Sequence, residues 1–139
     1  MKQLVLAGVV LALAVPAQLG AGAASERDKV KAVLQTQARL LRQNRLRTMY
    51  ETTYTPTFRA HCPWTRYLRR QRYARSVLGP GFTVRNIRVR FLSPTKAILA
   101  YQYVRRDGVV AADVRFRDRD LYAKVGNRWY DEWAHARDC

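Results

Sequence analysis

Asp118-Arg119-Asp120-Leu121-Tyr122 is the stretch of this chain with the most acid–base potential. Two carboxyls stand two residues apart, interleaved with Arg117 and Arg119, and a phenol follows two positions later. Alternating charges along a strand usually form cross-strand ion pairs. One of these acids buried beside Tyr122 would instead serve as a general base, so Asp118, Asp120 and Tyr122 are the candidate catalytic residues. A second constellation is His61-Cys62 with His135-x-x-x-Cys139. The second spacing suits zinc, but adjacent His61 and Cys62 do not readily aim at one ion. No glycine-rich phosphate loop, serine-nucleophile motif or HExxH is present, so neither a metal nor any other cofactor is expected.

Arginine supplies the third possibility. The chain carries 26 Lys plus Arg against 10 Asp plus Glu, a formal charge of +16. Such a charge draws a protein toward phosphates, acidic glycans and anionic surfaces. Arginine far outnumbers lysine and alanine is abundant, so a GC-rich coding sequence accounts for part of the excess. Arg66, Arg69 and Arg70 on one helix form a candidate basic surface with Arg88 and Arg90 on one strand and Arg115, Arg117 and Arg119 on another. Helical spacing sets most of the first run opposite Trp64, Tyr67, Leu68, Gln71, Ala74 and Leu78, the pattern of a solvated helix face. No motif for reading nucleic acid is present, and no nucleic-acid partner is expected. The anionic partners expected are an envelope polymer, a membrane surface or an acidic protein, bound in a salt-dependent way.

The N-terminus gives the compartment. Lys2 precedes an apolar or small run from Leu4 to Val15, Pro16 breaks it, and Ala21-Gly22-Ala23-Ala24 follows. This is the layout of a secretory signal peptide over residues 1–24, cleaved after Ala23 or Ala24. The apolar run is short for a membrane span. No cysteine stands near the cleavage site to take a lipid, so a secreted domain over 25–139 is expected. In an exported chain the two cysteines, Cys62 and Cys139, favour one disulfide over zinc ligation.

The elements that must position these groups read as helices first and strands afterwards. Ser25-Glu26-Arg27-Asp28 resembles a capping box. Val30, Val33, Leu34, Gln37 and Leu41 then recur at helical spacing, predicting a helix over about 26–43. Asn44 breaks it, Leu46, Met49 and Tyr50 suggest a short second helix, and 52–57 reads as a loop containing Pro56. A third helix starts near Pro63 and ends at Gly79-Pro80-Gly81. Ile87, Val89 and Phe91 alternate with polar residues, 97–104 reads as a central strand, and Asp107-Gly108 is a tight turn. One long strand is expected from Val110 through Leu121-Tyr122 to Val125. Gly126-Asn127 then turns into a last strand over 128–133. The class is α+β, with helices on one face of an antiparallel sheet.

Asn86-Ile87-Arg88-Val89, Ala97-Ile98-Leu99-Ala100-Tyr101 and above all the ending from Asp120 to Glu132 resemble the NTF2-like superfamily, including its ketosteroid-isomerase-like and polyketide-cyclase-like (SnoaL-like) members. The resemblance spans nearly all of 25–139 and implies a cone: three N-terminal helices packed on a curved antiparallel sheet of about four long strands. It also implies a cavity that could hold an acid, for which Glu51, Asp113, Asp118 and Asp120 are available. The aromatics expected to line it are Tyr50, Phe58, Trp64, Tyr67, Tyr101, Tyr103 and Trp129. Because such folds host many activities, the expectation is a non-catalytic binding module for a small apolar ligand or an anionic envelope partner. The alternative is an isomerase- or cyclase-type enzyme using a cavity Asp. Cones of this kind often pair through the outer face of the sheet, which makes a homodimer one possible assembly.

Overall fold

The computed structural model describes residues 24–133 and Cys139. Helix α1 spans Glu26–Arg42 and begins where Ser25 accepts a hydrogen bond from the Asp28 backbone N–H at 3.1 Å. It ends at the turn before Asn44, whose φ of 57° an asparagine tolerates better than most residues. Helix α2 covers Leu46–Thr53, α3 Pro56–His61 and α4 Trp64–Leu78. The expected count of three helices is therefore corrected to four among the described residues, because part of the stretch read as a loop is helical. Thr55 caps α3 by accepting from the Phe58 N–H at 3.1 Å, and Pro56 occupies the first turn, where its missing N–H costs nothing.

The strands are β1 (Thr83–Ser93), β2 (Lys96–Val104), β3 (Val110–Val114), β4 (Asp120–Val125) and β5 (Arg128–Asp131). They form a five-stranded antiparallel sheet in the order β1-β2-β4-β5, with β3 pairing the far end of β2. The long strand expected from 110 to 125 is thus two strands, and the expected four become five. A 3-10 turn at Phe116–Asp118 separates them, with Arg119 left-handed at φ 52°. Tyr101 faces Val114 whereas Leu99 faces Asp120. The register slips by an even number of residues, so the inward parity of the strand survives the break. A second irregularity lies in β1 between Arg85 and Arg88, around Asn86 at φ 56°. Bulges of this kind bend a strand and strengthen its twist.

One core lies among the helices, with Tyr50, Tyr54, Phe58 and Tyr67 packed ring to ring. The other lies between α1 and the sheet, where Val30 and Leu34 meet Val89, Leu99, Tyr122 and Trp129. Trp129 also donates its indole N–H to Glu26 at 2.7 Å, fastening β5 to the start of α1. Cys62 and Cys139 are joined in a disulfide, their Cα atoms 5.7 Å apart. With both sulfurs in that bond, neither is a thiolate for zinc. His61 is exposed and its Nδ1 lies 2.8 Å from the Thr57 carbonyl; His135 and residues 1–23, most of the stretch over which a signal peptide is expected, lie outside the described residues. Among the described residues no helix is long and apolar enough to cross a membrane.

Candidate functional site

Strand parity assembles the site. Leu99, Tyr101 and Tyr103 share the inward face of β2, Asp120 and Tyr122 that of β4, and Trp129 and Asp131 that of β5. In the register, Tyr122 stands between Ala97 on one side and Asp131 on the other, and Asp120 stands opposite Leu99. Two carboxyls therefore flank one phenol beneath the helices. Helix α1 contributes Gln37, a polar residue set into its apolar stripe. The Gln37 amide donates to Asp131 Oδ2 at 3.0 Å and to Thr53 Oγ1 at 3.2 Å, while its carbonyl accepts from the Tyr122 hydroxyl at 3.3 Å. The Trp133 backbone N–H donates to the other Asp131 oxygen at 2.9 Å. Asp131 is thus satisfied on both oxygens. Asp120 is less well served: as a residue it is half-buried, but its Oδ2 is sealed from solvent and makes no hydrogen bond of ordinary geometry among the described residues, with the Tyr101 and Tyr122 hydroxyls as its polar neighbours.

Burial pushes the Asp120 carboxyl up to about 6, while the Tyr101 and Tyr122 hydroxyls pull it the other way. Burial also raises Asp131 well above the usual carboxylate range, and the charge of Asp120 adds to that rise; Gln37 and the Trp133 N–H oppose it. The two acids behave as one unit, since the second can ionise only against the charge of the first. Tyr54, Tyr101 and Tyr122 are raised as well, chiefly by burial, and stay protonated as hydrogen-bond donors. A carboxyl able to hold or release a proton near neutral pH, beside fixed phenols, can anchor a polar group or move a proton.

The acids open onto a cavity of about 660 Å³ between α4 and the β3 edge. Ala74, Val77 and Leu78 form one wall, and Ala111, Ala112 and Val114 the other. Gln37, Tyr54, Asp131 and Trp133 also line it, together with Arg119 and Tyr73, the latter 70% exposed. Size and lining suit a small, mostly apolar molecule with one polar end.

Of the four acids considered from the sequence, only Asp120 reaches the interior. Glu51 pairs with Arg47 and Asp113 with Arg115, both on the surface. Asp118 is exposed at the cavity rim, where it accepts the Arg115 N–H at 2.7 Å. Asp131 is not among the acids expected from the sequence. Its two-residue spacing from the inward Trp129 is the signal that would have found it. Among the seven aromatics expected in a pocket, Tyr101 and Tyr103 line this cavity. Tyr50, Phe58 and Tyr67 are core residues, Trp64 packs at the core's edge, and Trp129 faces a smaller hollow over α1. The residues not anticipated are Tyr54, Tyr73 and Trp133. The arginines divide. Arg66, Arg69 and Arg70 lie exposed on α4, with Arg70 stacked 4.2 Å from the Trp133 ring centre. Arg88 and Arg90 stack on Phe116, which Arg115 and Arg117 flank in the chain. Comparison of the chain with protein-family models and with curated proteins finds no match.

Proposed function

We propose that this chain is a secreted, NTF2-like cone that binds a small, largely apolar molecule in the cavity between α4 and β3, with the Asp120 carboxyl as its polar anchor. One observation carries the reading: the Asp120 carboxyl lines a cavity of about 660 Å³ with its Oδ2 sealed from water and short of a hydrogen bond of ordinary geometry, the Tyr101 and Tyr122 hydroxyls being its polar neighbours. A buried polar atom without a partner costs about 1 to 3 kcal/mol. A ligand hydroxyl, amide or carbonyl that met the carboxyl at the cavity wall would give it a partner, donating to the ionised acid or accepting from the neutral one. The cone is supported by the helix-first order and by a sheet bent at Asn86 and at 115–119. Export is supported by the leader-like N-terminus together with the Cys62–Cys139 disulfide.

A second reading is favoured by the Asp120 carboxyl at about 6. That value suits a general base working near neutral pH, as in an isomerase- or cyclase-type enzyme. Native mass spectrometry of the protein from its own culture medium tests the main reading, with Asp120→Asn alongside. The reading expects a retained small molecule on the wild type, lost or much reduced in the variant. A bare wild type that also fails to bind a neutral apolar dye would end it. Turnover of the retained molecule, abolished by Asp120→Asn with binding kept, would select the enzyme.

A further inference from the structure

Between Glu51 and Asp107 the chain holds no aspartate or glutamate, yet twelve lysines and arginines fall in that stretch. Charges so arranged cannot be neutralised locally, and the fold concentrates several of them at one turn. Helix α4 ends at Gly79-Pro80-Gly81, where Gly79 and Gly81 have φ of 71° and 70°, a conformation that favours glycine. The chain reverses there and brings the end of α4 beside the end of α1. A cleft of about 480 Å³ results, lined by Arg42, Arg72, Arg75, Ser76, the turn and Phe82. Among the described residues no carboxylate lines it, and none that lines it also lines the acid cavity.

Two of the guanidiniums are held in place. Arg42 donates one N–H to the Phe82 carbonyl at 3.2 Å, its charge 5.4 Å from that ring's centre. Arg75 donates its Nε–H to the Leu41 carbonyl at 3.0 Å. Each guanidinium has five N–H donors, so these anchors fix the group and leave a donor edge over. Arg72 is exposed on the same rim. From the other side the Arg106 stem packs on Gly81, where an added Cβ would lie 3.4 Å from Arg106 Cδ. The nearby acid, Asp107, is taken by Arg105 at 2.9 Å.

We propose that this cleft binds a phosphoryl group, held by Arg42, Arg72 and Arg75. One guanidinium fork saturates a carboxylate, whereas a tetrahedral phosphoryl dianion has acceptor oxygens for all three. The source is a free phosphomonoester or the headgroup of a membrane lipid. The site is independent of the cavity reading and stands or falls separately.

Two arms test it at constant ionic strength: calorimetric titration with inorganic phosphate, and flotation with phosphatidylcholine vesicles with and without phosphatidic acid. The variants are Arg72→Gln, in the cleft, and Arg128→Gln, an exposed arginine of β5 outside it. Arg72→Gln should weaken binding about tenfold in whichever arm binds, and Arg128→Gln should leave it unchanged. Binding in the phosphate arm assigns the site to free phosphoryl compounds. Binding to phosphatidic acid vesicles alone, still lost in Arg72→Gln, assigns it to a headgroup. Equal weakening by both variants would mean diffuse attraction and overturn the site, as would the absence of binding in both arms.

Discussion

Asp120 is the residue on which the functional reading turns, and its titration has a consequence for stability. Burial moves its carboxyl from an ordinary 3.8 up to about 6. Between those values the unfolded chain has given up the proton while the folded one still holds it. The folded state therefore loses stability as pH rises from about 4 to 6, by roughly 3 kcal/mol in all, and the loss persists above 6. Asp120→Asn should remove most of that penalty, raising stability at pH 7 and changing little below pH 4; urea unfolding at both pH values reads the difference. Gln37 has the opposite part. Its side chain serves Asp131, Thr53 and Tyr122 at once, so Gln37→Leu should cost about 2 to 4 kcal/mol by leaving a buried carboxyl and phenol short of partners. At this scale the sequence was half legible. Asp120 and Tyr122 stand out by their two-residue spacing, and Gln37 is visible as a polar residue on an apolar stripe. Asp131 was hidden, because nearness to the chain's end says nothing about burial, whereas the parity of β5 does.

Among the elements, the interruption between β3 and β4 shapes the site most. Alternation carries through 110–125 because the slip is even, so nothing in the pattern marks the break. The exposed 3-10 turn is local chemistry, closed by Asp118 on the Arg115 N–H and by Arg119 at φ 52°. A non-glycine residue held there costs about 1 to 2 kcal/mol. Arg119→Gly should recover about 1 kcal/mol in chemical denaturation, and Arg119→Ala should not; equal effects would mean the turn is unstrained. The α3 helix went unseen for a related reason. Six residues are too few to show a period, and Pro56 reads as a breaker when it is a helix start. The long elements were legible: α1 from its cap and stripe, α4 from its stripe and glycine stop, β2 from its burial on both faces.

For the whole molecule, the Cys62–Cys139 bridge joins residues 77 apart in sequence. In the chain-entropy account such a closure is worth roughly 4 to 5 kcal/mol. The Cys62→Ser, Cys139→Ser double variant should lose about that much, read as an earlier midpoint in urea. Because Trp133 stacks on Phe58 and lines the cavity, the variant should also bind cavity ligands more weakly. The basic charge and the acidic interior divide the molecule into an outside suited to anions and an inside suited to a small polar–apolar ligand. The most direct test of that interior is fluorescence titration with Nile red, a neutral apolar dye indifferent to the arginines. Wild type is compared with Ala74→Trp, which fills the cavity from the α4 wall. Saturable binding to the wild type and at least about tenfold weaker binding to the variant are expected, with helical content unchanged. Equal binding by the two proteins would contradict the cavity reading.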